Sequence, residues 1–265
     1  MRTRNGTLED RVILLTGASK GIGAATASAL AGAGALVVAH YNTDRAGAEA
    51  ALAGVAPDRR LLVQADAGDP RAMDALWAEA EAWRGRIDSV VLNAAVMVPH
   101  GGIEDADAEW DAAWDLQWRV NVLSPARLMR GAVRHFRARG KDATGVAGVL
   151  VTISSWAAQR GVTNPAMVAY AASKAAVKAA AQTIARGYAT EGILSFIVAP
   201  GVVRTRMSED FAATQGGEAP VTAMLAMGEW VPPEDIANLV SFLCEGRVRH
   251  LSGATLDVNG ASYVR

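Results

Sequence analysis

The 265-residue sequence lacks the features of disulfide-stabilised, metal-binding and membrane-spanning proteins. Its one cysteine, Cys244, excludes an intrachain disulfide framework and a cysteine-based zinc site, and is typical of a reducing compartment. No uninterrupted apolar run reaches bilayer length, and the N-terminal MRTRNGTLED lacks the apolar stretch of a signal peptide. We therefore expect a soluble, cytoplasmic protein with no membrane partner.

The chain also has no excess of charge of one sign. Lys and Arg number 26 against 27 Asp and Glu, and no basic block could follow a phosphate backbone, so we expect no nucleic-acid partner. Hydrophobic residues make up 51% of the chain and charged residues 20%, which is enough apolar side chain for a large core. The composition indicates an ordered globular protein.

Short β-branched or leucine-rich segments alternate with longer alanine-rich segments of helical period. The strand-like segments are RVILLTG, ALVVAHY, RLLVQAD, IDSVVLNAA, GVLVTISS, GILSFIVAPG and TLDVNG. They lack period-two alternation, which indicates burial on both faces, and the intervening helices imply right-handed crossovers into a parallel sheet. We predict an α/β fold of the Rossmann type, a doubly wound parallel β-sheet flanked by helices. No repeat or linker divides the chain, so residues 1–265 are interpreted as one domain.

The helical segments are predicted over residues 21–33, about 44–54, 70–84 with Asp69 as the N-cap, 105–139, a long segment ending at Tyr188, and the residues after VPPED. Residues 206–230 are interpreted as a polar excursion. Ligands bind such sheets at the carboxyl ends of the strands, near the point where strand order reverses. Functional side chains are therefore expected just after strands, at one edge of the sheet.

The turn after the first strand is rich in glycine. Gly17, Gly21 and Gly23 in TGASKGIG have the spacing G-x3-G-x-G, which differs from the dinucleotide fingerprint G-x-G-x-x-G. Glycines permit a tight turn, and free backbone N–H groups at the start of a helix attract a pyrophosphate. The alternative is an ordinary strand-to-helix turn.

The segment YAASK places a phenol and an ammonium four residues apart. On a helix, Tyr170 and Lys174 would lie on one face, one turn apart. A nearby cation stabilises a phenolate and lowers the pKa of the phenol, so Tyr170 could act as an acid or base. The alternative is a solvated pair on a helix surface.

Four segments in this order resemble the shorter, single-domain branch of the short-chain dehydrogenase/reductase family: TGASKGIG, NAA after the fourth strand, Ser155 after the fifth, and YAASK. The resemblance extends from about Arg11 to Gly260. It implies a Rossmann-type domain that binds a nicotinamide dinucleotide and interconverts a secondary alcohol and a carbonyl, of ketone or 3-oxoacyl type. The implied partner is therefore a small-molecule substrate.

The resemblance also implies the catalytic set. Tyr170 would exchange the proton, Lys174 would contact the nicotinamide ribose, Ser155 would hydrogen-bond the substrate oxygen, and Asn121 would hold a water that links Lys174 to solvent. Ser155 lies two residues further from Tyr170 than the family serine does, which we attribute to a longer loop. Ser154 is the fallback, although strand alternation points it the other way. Ser155 could otherwise merely end a strand.

The cofactor contacts follow from the same resemblance. Asp66 would accept from the adenine amine, although it could otherwise start a turn, and Thr205 would meet the nicotinamide carboxamide. Leu92 and Ala95 stand where the family has asparagine and glycine. No metal is implied. The implied cofactor-binding residues are Gly17, Ser19, Lys20, Gly21, Ile22, Gly23, Tyr41, Asn42, Thr43, Asp66, Ala67, Asn93, Ala94, Tyr170, Lys174, Pro200, Gly201, Val203 and Thr205.

The end of the second strand bears on the choice of cofactor. An acid there would bind the free ribose hydroxyl of NAD and repel the phosphate of NADP, but Tyr41 occupies the place. With donors at Asn42 and Thr43 and a cation at Lys20, the sequence favours NADP(H). NAD(H) stays possible because Asp44 is close by.

Other residues leave alternatives open. Met97, Trp156 and Met207 could line an apolar substrate pocket, whereas His100 is interpreted as an ordinary loop histidine. The stripe Trp110, Trp114 and Trp118 indicates buried packing or a subunit interface rather than a substrate platform. The family implies a homotetramer or a homodimer. The competing functions are a nucleotide sensor or scaffold without turnover, and an epimerase or dehydratase.

Overall fold

A computed structural model describes residues 7–264; the first six residues of the N-terminal segment and Arg265 lie outside the described part. The strands are β1 Val12–Leu15, β2 Leu36–Tyr41, β3 Arg60–Gln64, β4 Ser89–Leu92, β5 Gly148–Ile153, β6 Ile193–Pro200 and β7 Thr255–Val258. The helices are α1 Gly21–Gly32, α2 Arg45–Ala51, α3 Pro70–Arg84, α4 Asp107–Trp118, α5 Ser124–Arg139, α6 Ala157–Arg160, α7 Val168–Gly187, α8 Arg206–Thr214, α9 Glu218–Ala223 and α10 Pro233–Cys244.

The seven strands form one parallel sheet in the order β3-β2-β1-β4-β5-β6-β7. The order reverses at β1, which pairs Ile13 with Val37 of β2 on one side and with Ser89 of β4 on the other. The prediction of a doubly wound, Rossmann-type sheet is therefore confirmed. The reversal places the ends of β1 and β4 next to each other, which opens a crevice between them.

Two apolar layers cover the two faces of the sheet. One packs α1 and α10 onto residues such as Leu15 and Val151, and the other packs α3, α5 and α7 onto residues such as Leu14 and Leu150. Successive strand residues alternate between these layers, so both faces are apolar. The strand runs lack period-two alternation for this reason.

Local sequence signals set both ends of α3. Asp69 accepts a hydrogen bond from the backbone of Arg71 at 2.8 Å and so caps α3, with Pro70 at the first position. Gly85, in the left-handed conformation, ends that helix. The predicted cap of this helix is therefore confirmed.

Three element predictions need correction. The helix predicted over 105–139 is two helices, α4 and α5, joined by a π-helical turn at Arg119–Leu123. The excursion predicted over 206–230 contains α8 and α9, because Thr205 caps α8 and Ala212 packs against Val221 and Trp230. The second helix is shorter than 44–54, since Asp44 is its cap and it ends at Ala51.

Candidate active site

One cavity lies at the carboxyl edge of the sheet, above the point where strand order reverses. Its volume is about 390 Å³, in the range of small-molecule sites. Every cofactor-binding residue predicted from the sequence lines it, together with Ser155, Tyr170 and Lys174, whereas Asn121 does not. The structure therefore brings together residues that are up to 188 positions apart in the chain, from Gly17 to Thr205, although each residue's role stays a prediction.

The glycine turn is shaped by close backbone contacts. Gly17 has φ +70°, which favours glycine, and a Cβ there would lie 3.0 Å from the Cα of Ala94. A Cβ on Gly23 would lie 1.8 Å from the carbonyl oxygen of Gly17. On the β4 side, the amide of Asn93 donates to the carbonyls of Thr16 and Gly17 at 2.9 and 3.0 Å. Gly21 has φ +54°, and a Cβ there would lie 2.9 Å from the Cγ2 of Thr205, so at all three glycines a side chain would be strained or would clash.

The start of α1 fits an anion. Lys20 is its N-cap residue, no side chain caps the helix, and its first turn has no acidic residue. The N–H groups of a helix start carry partial positive charge and bind phosphate when no side chain occupies them. The geometry of the turn and the uncapped helix start fit the pyrophosphate of a dinucleotide.

The far end of the cavity is polar. The guanidinium of Arg45 pairs with Glu49 at 2.8 Å and lies near Tyr41. Asp44 accepts from the backbone of Gly47 at 2.8 Å, so its carboxylate caps α2. Asp66 accepts from the backbone of Gly68 at 2.8 Å and thus starts a turn, the alternative raised for it, while still lining the cavity.

Tyr170 and Lys174 lie on α7 and face the cavity. Both are buried, so the surface-pair alternative is wrong. The Nζ of Lys174 donates to the carbonyl of Ile153 at 3.0 Å and is 5.8 Å from the centre of the Tyr170 ring. The hydroxyl of Ser155 lies beside the Tyr170 phenol, where it acts to lower the phenol's pKa, and it accepts from the backbone of Ala157 at 3.1 Å.

The loop before α7 accounts for the longer separation of Ser155 from Tyr170. It forms the short helix α6 and a 3₁₀ turn at Pro165–Met167, which take up the extra residues. Ser154 instead donates to the carbonyl of Lys174 at 2.9 Å, as strand alternation predicts, and so holds α7 against β5. Its hydroxyl is therefore used within the fold, whereas that of Ser155 faces the phenol.

Burial dominates the pKa values of Tyr170 and Lys174. Burial raises the pKa of Tyr170 to about 12, and the hydrogen bond from Ser155 opposes this. Burial also lowers the pKa of Lys174 to about 8. Removing both groups from water disfavours their charged forms more than their separation allows them to stabilise each other. In this geometry burial outweighs any effect of Lys174 on the pKa of Tyr170, and the expected role of Lys174 stays a prediction.

Asn121 lies in the π-helical turn, behind the cavity. Its side chain accepts from the backbone N–H of Val96 and donates to the Val96 carbonyl, both at 2.8 Å, and donates to Ser173 at 3.0 Å. It also lines, with Lys174, a cavity of about 10 Å³, at the lower limit for holding a water molecule. A π turn shifts the backbone hydrogen-bond pattern and is frequent at functional sites. The side chain of Asn121 is hydrogen-bonded to protein groups, so a water in this small cavity would have to bind to other atoms.

An apolar wall adjoins the phenol. Tyr170 packs with the buried Met167 and Ala157, and with the partly buried Met97, Trp156, Val162 and Phe211. Met207 lines the large cavity, whereas His100 is exposed in a loop and does not line it. The tryptophan stripe is not part of the cavity either, so the substrate-platform alternative has no support.

Sequence reasoning missed two residues of this region. His40, the penultimate residue of β2, lines the cavity and accepts from the backbone of Gly17. Arg45 brings a cation to Tyr41. A polar residue in an otherwise apolar strand was the available signal for His40, since a buried polar group needs a partner.

The fold and this site define a Rossmann-type dinucleotide-binding protein. A family model described as enoyl-(acyl carrier protein) reductase matches residues 17–261. 3β-Hydroxysteroid dehydrogenase 1 of Eggerthella lenta is 31% identical over 255 residues, 96% of this chain and 94% of that protein. The chain belongs to the short-chain dehydrogenase/reductase family and is an oxidoreductase of CH–OH and keto groups.

Solved structures agree with this assignment. A short-chain dehydrogenase from Burkholderia cenocepacia in complex with NADP has a TM-score of 0.83 at 31% identity, covering 98% of this chain and 99% of that one. A 3-ketoacyl-(acyl-carrier-protein) reductase from Brucella melitensis complexed with NADH has a TM-score of 0.84 at 26% identity, covering 97% and 99%.

Residues 7–264 lack two further kinds of feature. No helix in this range combines the length and the apolar character needed to cross a bilayer. Within the same range, no three His, Cys, Asp or Glu side chains lie close enough together to hold a metal ion.

Proposed function

We propose that this chain is an NADP(H)-preferring oxidoreductase that interconverts a secondary alcohol and a ketone or 3-oxoacyl carbonyl, with Tyr170 as the general acid and base. The observation that carries the proposal is that buried Ser155, Tyr170 and Lys174 line the same cavity as the glycine turn at the start of α1. Its similarity to a hydroxysteroid dehydrogenase and to a ketoacyl reductase supports the reaction class.

Three features support NADP(H) as the preferred cofactor. Tyr41 rather than an acid ends β2, Lys20 starts α1, and Arg45 adds a second cation near Tyr41. The carboxylate of Asp44 is engaged by the start of α2, which reduces its repulsion of a phosphate. The relative from Burkholderia cenocepacia was solved with NADP, whereas that from Brucella melitensis was solved with NADH.

The protein's own groups would handle the proton and position the reactants. The bound nicotinamide supplies or accepts the hydride. Tyr170 would give its proton to the oxygen of the carbonyl during reduction and take it back during oxidation, while Ser155 hydrogen-bonds the same oxygen. Lys174, held by the carbonyl of Ile153, would add positive charge that favours the phenolate once substrate and cofactor surround it. The buried setting excludes water and strengthens these interactions.

The substrate of this site is expected to have apolar groups next to its reacting carbon. Met97, Trp156, Met167 and Phe211 present thioether and aromatic surface around Tyr170. Such a wall binds apolar surface by burial, and it offers few partners for a second polar group close to the carbonyl. Bulky ketones and the matching secondary alcohols are therefore the first compounds to test.

The test is turnover of a panel by wild type and Tyr170→Phe, followed by NADPH absorbance. Wild type should reduce at least one ketone, and the Michaelis constant for NADPH should be lower than that for NADH. Tyr170→Phe should bind NADPH as wild type does and lose about 10²-fold or more in kcat, because only the proton donor is removed. Unchanged turnover by Tyr170→Phe would remove Tyr170 from its role.

The panel also separates the competing functions. The panel includes an enoyl thioester because the matching family model is described as an enoyl-(acyl carrier protein) reductase. If this compound is reduced in preference to every ketone, the reacting group of the substrate is a carbon–carbon double bond and not a carbonyl. Tight nucleotide binding without turnover of any member would support a sensor. A clear preference for NADH would overturn the assignment of the cofactor.

We further propose that the protein is a homotetramer or a homodimer. The tryptophan stripe of α4 is stacked, with ring centres 5.0 and 6.5 Å apart, and Trp118 and the adjoining Leu123 are 38% and 51% exposed. A face with exposed tryptophan and leucine is typical of a subunit interface.

A further inference from the structure

His40 is a buried, titratable side chain that the proposed reaction does not use. It is 1% exposed and lies one residue before the end of β2, directly below the glycine turn. Its Nδ1 is 3.1 Å from the backbone nitrogen of Gly17, and its Nε2 is 3.0 Å from the carbonyl oxygen of Ala65. The imidazole therefore spans from the turn after β1 to the residue after β3.

These two partners fix the tautomer of the ring. A backbone N–H can only donate and a carbonyl can only accept, so Nδ1 carries the lone pair and Nε2 carries the proton. Burial lowers the pKa of His40, whereas the hydrogen bond to Ala65 and the charge of Asp66 oppose this. The neutral ring is the form that accepts from Gly17.

The hydrogen bond to Gly17 holds the first residue of the phosphate-binding turn. The backbone carbonyl of His40 also accepts from Ala18 at 2.8 Å, so one residue of β2 holds two successive amides of the turn. Asn93 holds the carbonyl of Gly17 from the β4 side. The turn is thus clamped from both neighbouring strands, and without Nδ1 the N–H of Gly17, which points at the buried imidazole, would lose its partner.

We propose that His40 is a positioning residue for the cofactor: through its Nδ1 it sets the place of Gly17, and with it the amides that face the pyrophosphate of the dinucleotide. The proposal rests on the proposed function, since it assumes that the turn binds a nicotinamide dinucleotide. His40 does not touch the reacting atoms. Its effect should fall on cofactor affinity and not on the chemical step.

Two substitutions separate the two ends of the ring. The oxygen of an asparagine in His40→Asn can take the place of Nδ1 and accept from Gly17, whereas the amide of His40→Gln takes the place of Nε2 and reaches Ala65. We expect His40→Gln to raise the Kd for NADPH about 10-fold, because the N–H of Gly17 is left unpaired. His40→Asn should keep a Kd close to that of wild type.

The measurements are the Kd by NADPH fluorescence, with thermal unfolding as a check on folding, and kcat at saturating NADPH. For His40→Gln, kcat should stay at the wild-type value while KM for NADPH rises. Equal Kd values for the two variants would overturn the proposal and leave the proposed function intact. Failure of wild type to bind NADPH or NADH would instead overturn the proposed function.

A measurement on the wild-type protein covers the case in which neither variant folds. The ¹⁵N spectrum of the imidazoles distinguishes a nitrogen that carries a proton from one that does not. We expect one histidine that stays neutral, with protonated Nε2 and unprotonated Nδ1, and with its Nδ1 signal shifted when NADPH is added. A proton on Nδ1 of His40, or a signal that NADPH leaves unchanged, would overturn the proposal.

Discussion

At the scale of single residues, the site holds an ammonium where water is scarce. Lys174 is buried and donates to the carbonyl of Ile153, while burial lowers its pKa to about 8. An unfolded chain would have a lysine pKa near ~10.4, so between about pH 8 and 10.4 the unfolded state binds more protons than the folded state. The free energy of unfolding therefore rises with pH through this window, and below it the protein bears the whole cost of the buried charge.

Lys174→Met should accordingly stabilise the nucleotide-free protein while it abolishes activity. At pH 7 we expect the free energy of unfolding to increase by about 1–3 kcal/mol, which is the cost of the buried charge less the lost bond to Ile153. Urea unfolding at several pH values measures this. Lys178→Met removes an ammonium from the next turn of α7, where Lys178 bonds Gln159, and is the matched control. A loss of stability for Lys174→Met at pH 7 would contradict the expectation.

What could be predicted at this scale depended on local spacing. Tyr170 and Lys174 are one helical turn apart, and Gly17 directly follows a strand, so short-range geometry placed them. Other features depend on which distant elements are in contact and on how deeply they bury a group. These are the bond from Gly17 to His40, the cation of Arg45 and the pKa of Tyr170. A linear sequence does not state those quantities.

At the scale of elements, the junction of β1 and α1 is the most constrained. A Cβ on Gly23 would clash with the carbonyl oxygen of Gly17, at 1.8 Å, so Gly23→Ala must move α1 away from the turn. We expect the Kd for NADPH to rise at least about 10-fold and stability to fall by roughly 1–3 kcal/mol from overpacking.

The same helix supplies the control. A Cβ on Gly32 would meet no atom within 4 Å, so Gly32→Ala should leave the Kd unchanged and stabilise the protein by up to about 1 kcal/mol through helix propensity. Nucleotide titration and thermal unfolding of both variants check the pair. Similar Kd values for the two would show that the tight contact does not control binding.

The elements themselves were largely predictable, because strands buried on both faces and capped helices leave strong patterns. The predictions of secondary structure are wrong where tertiary contacts determine which element forms. The π turn at Arg119–Leu123 interrupts a sequence pattern that is helical throughout. The helices α8 and α9 form in a polar segment because Ala212, Val221 and Trp230 pack together. Local signals exist at both places, since Pro125 lies in the first turn of α5 and Thr205 caps α8, but they do not specify the π turn or the packing of α8 and α9.

At the scale of the whole molecule, the exposed end of the tryptophan stripe predicts association. Trp118→Arg should shift the protein to smaller assemblies, because a charge placed in an apolar interface loses its hydration without gaining a partner. Light scattering after size exclusion measures the mass. Met224, which is 69% exposed and follows α9, gives the control Met224→Arg, which should keep the wild-type mass. A wild-type monomer would refute the assembly itself.

The position of β1 in the sheet has a consequence for how the chain is made. β1 pairs with β2, which is nearby in the chain, and with β4. Asp88, just before β4, also accepts from the backbone of Val12 across 76 residues. During synthesis β1 leaves the ribosome long before β4, so one edge of β1 has no partner strand in that interval. Strand edges in that condition attract other chains. The interval before β4 emerges is therefore when this polypeptide most needs a chaperone.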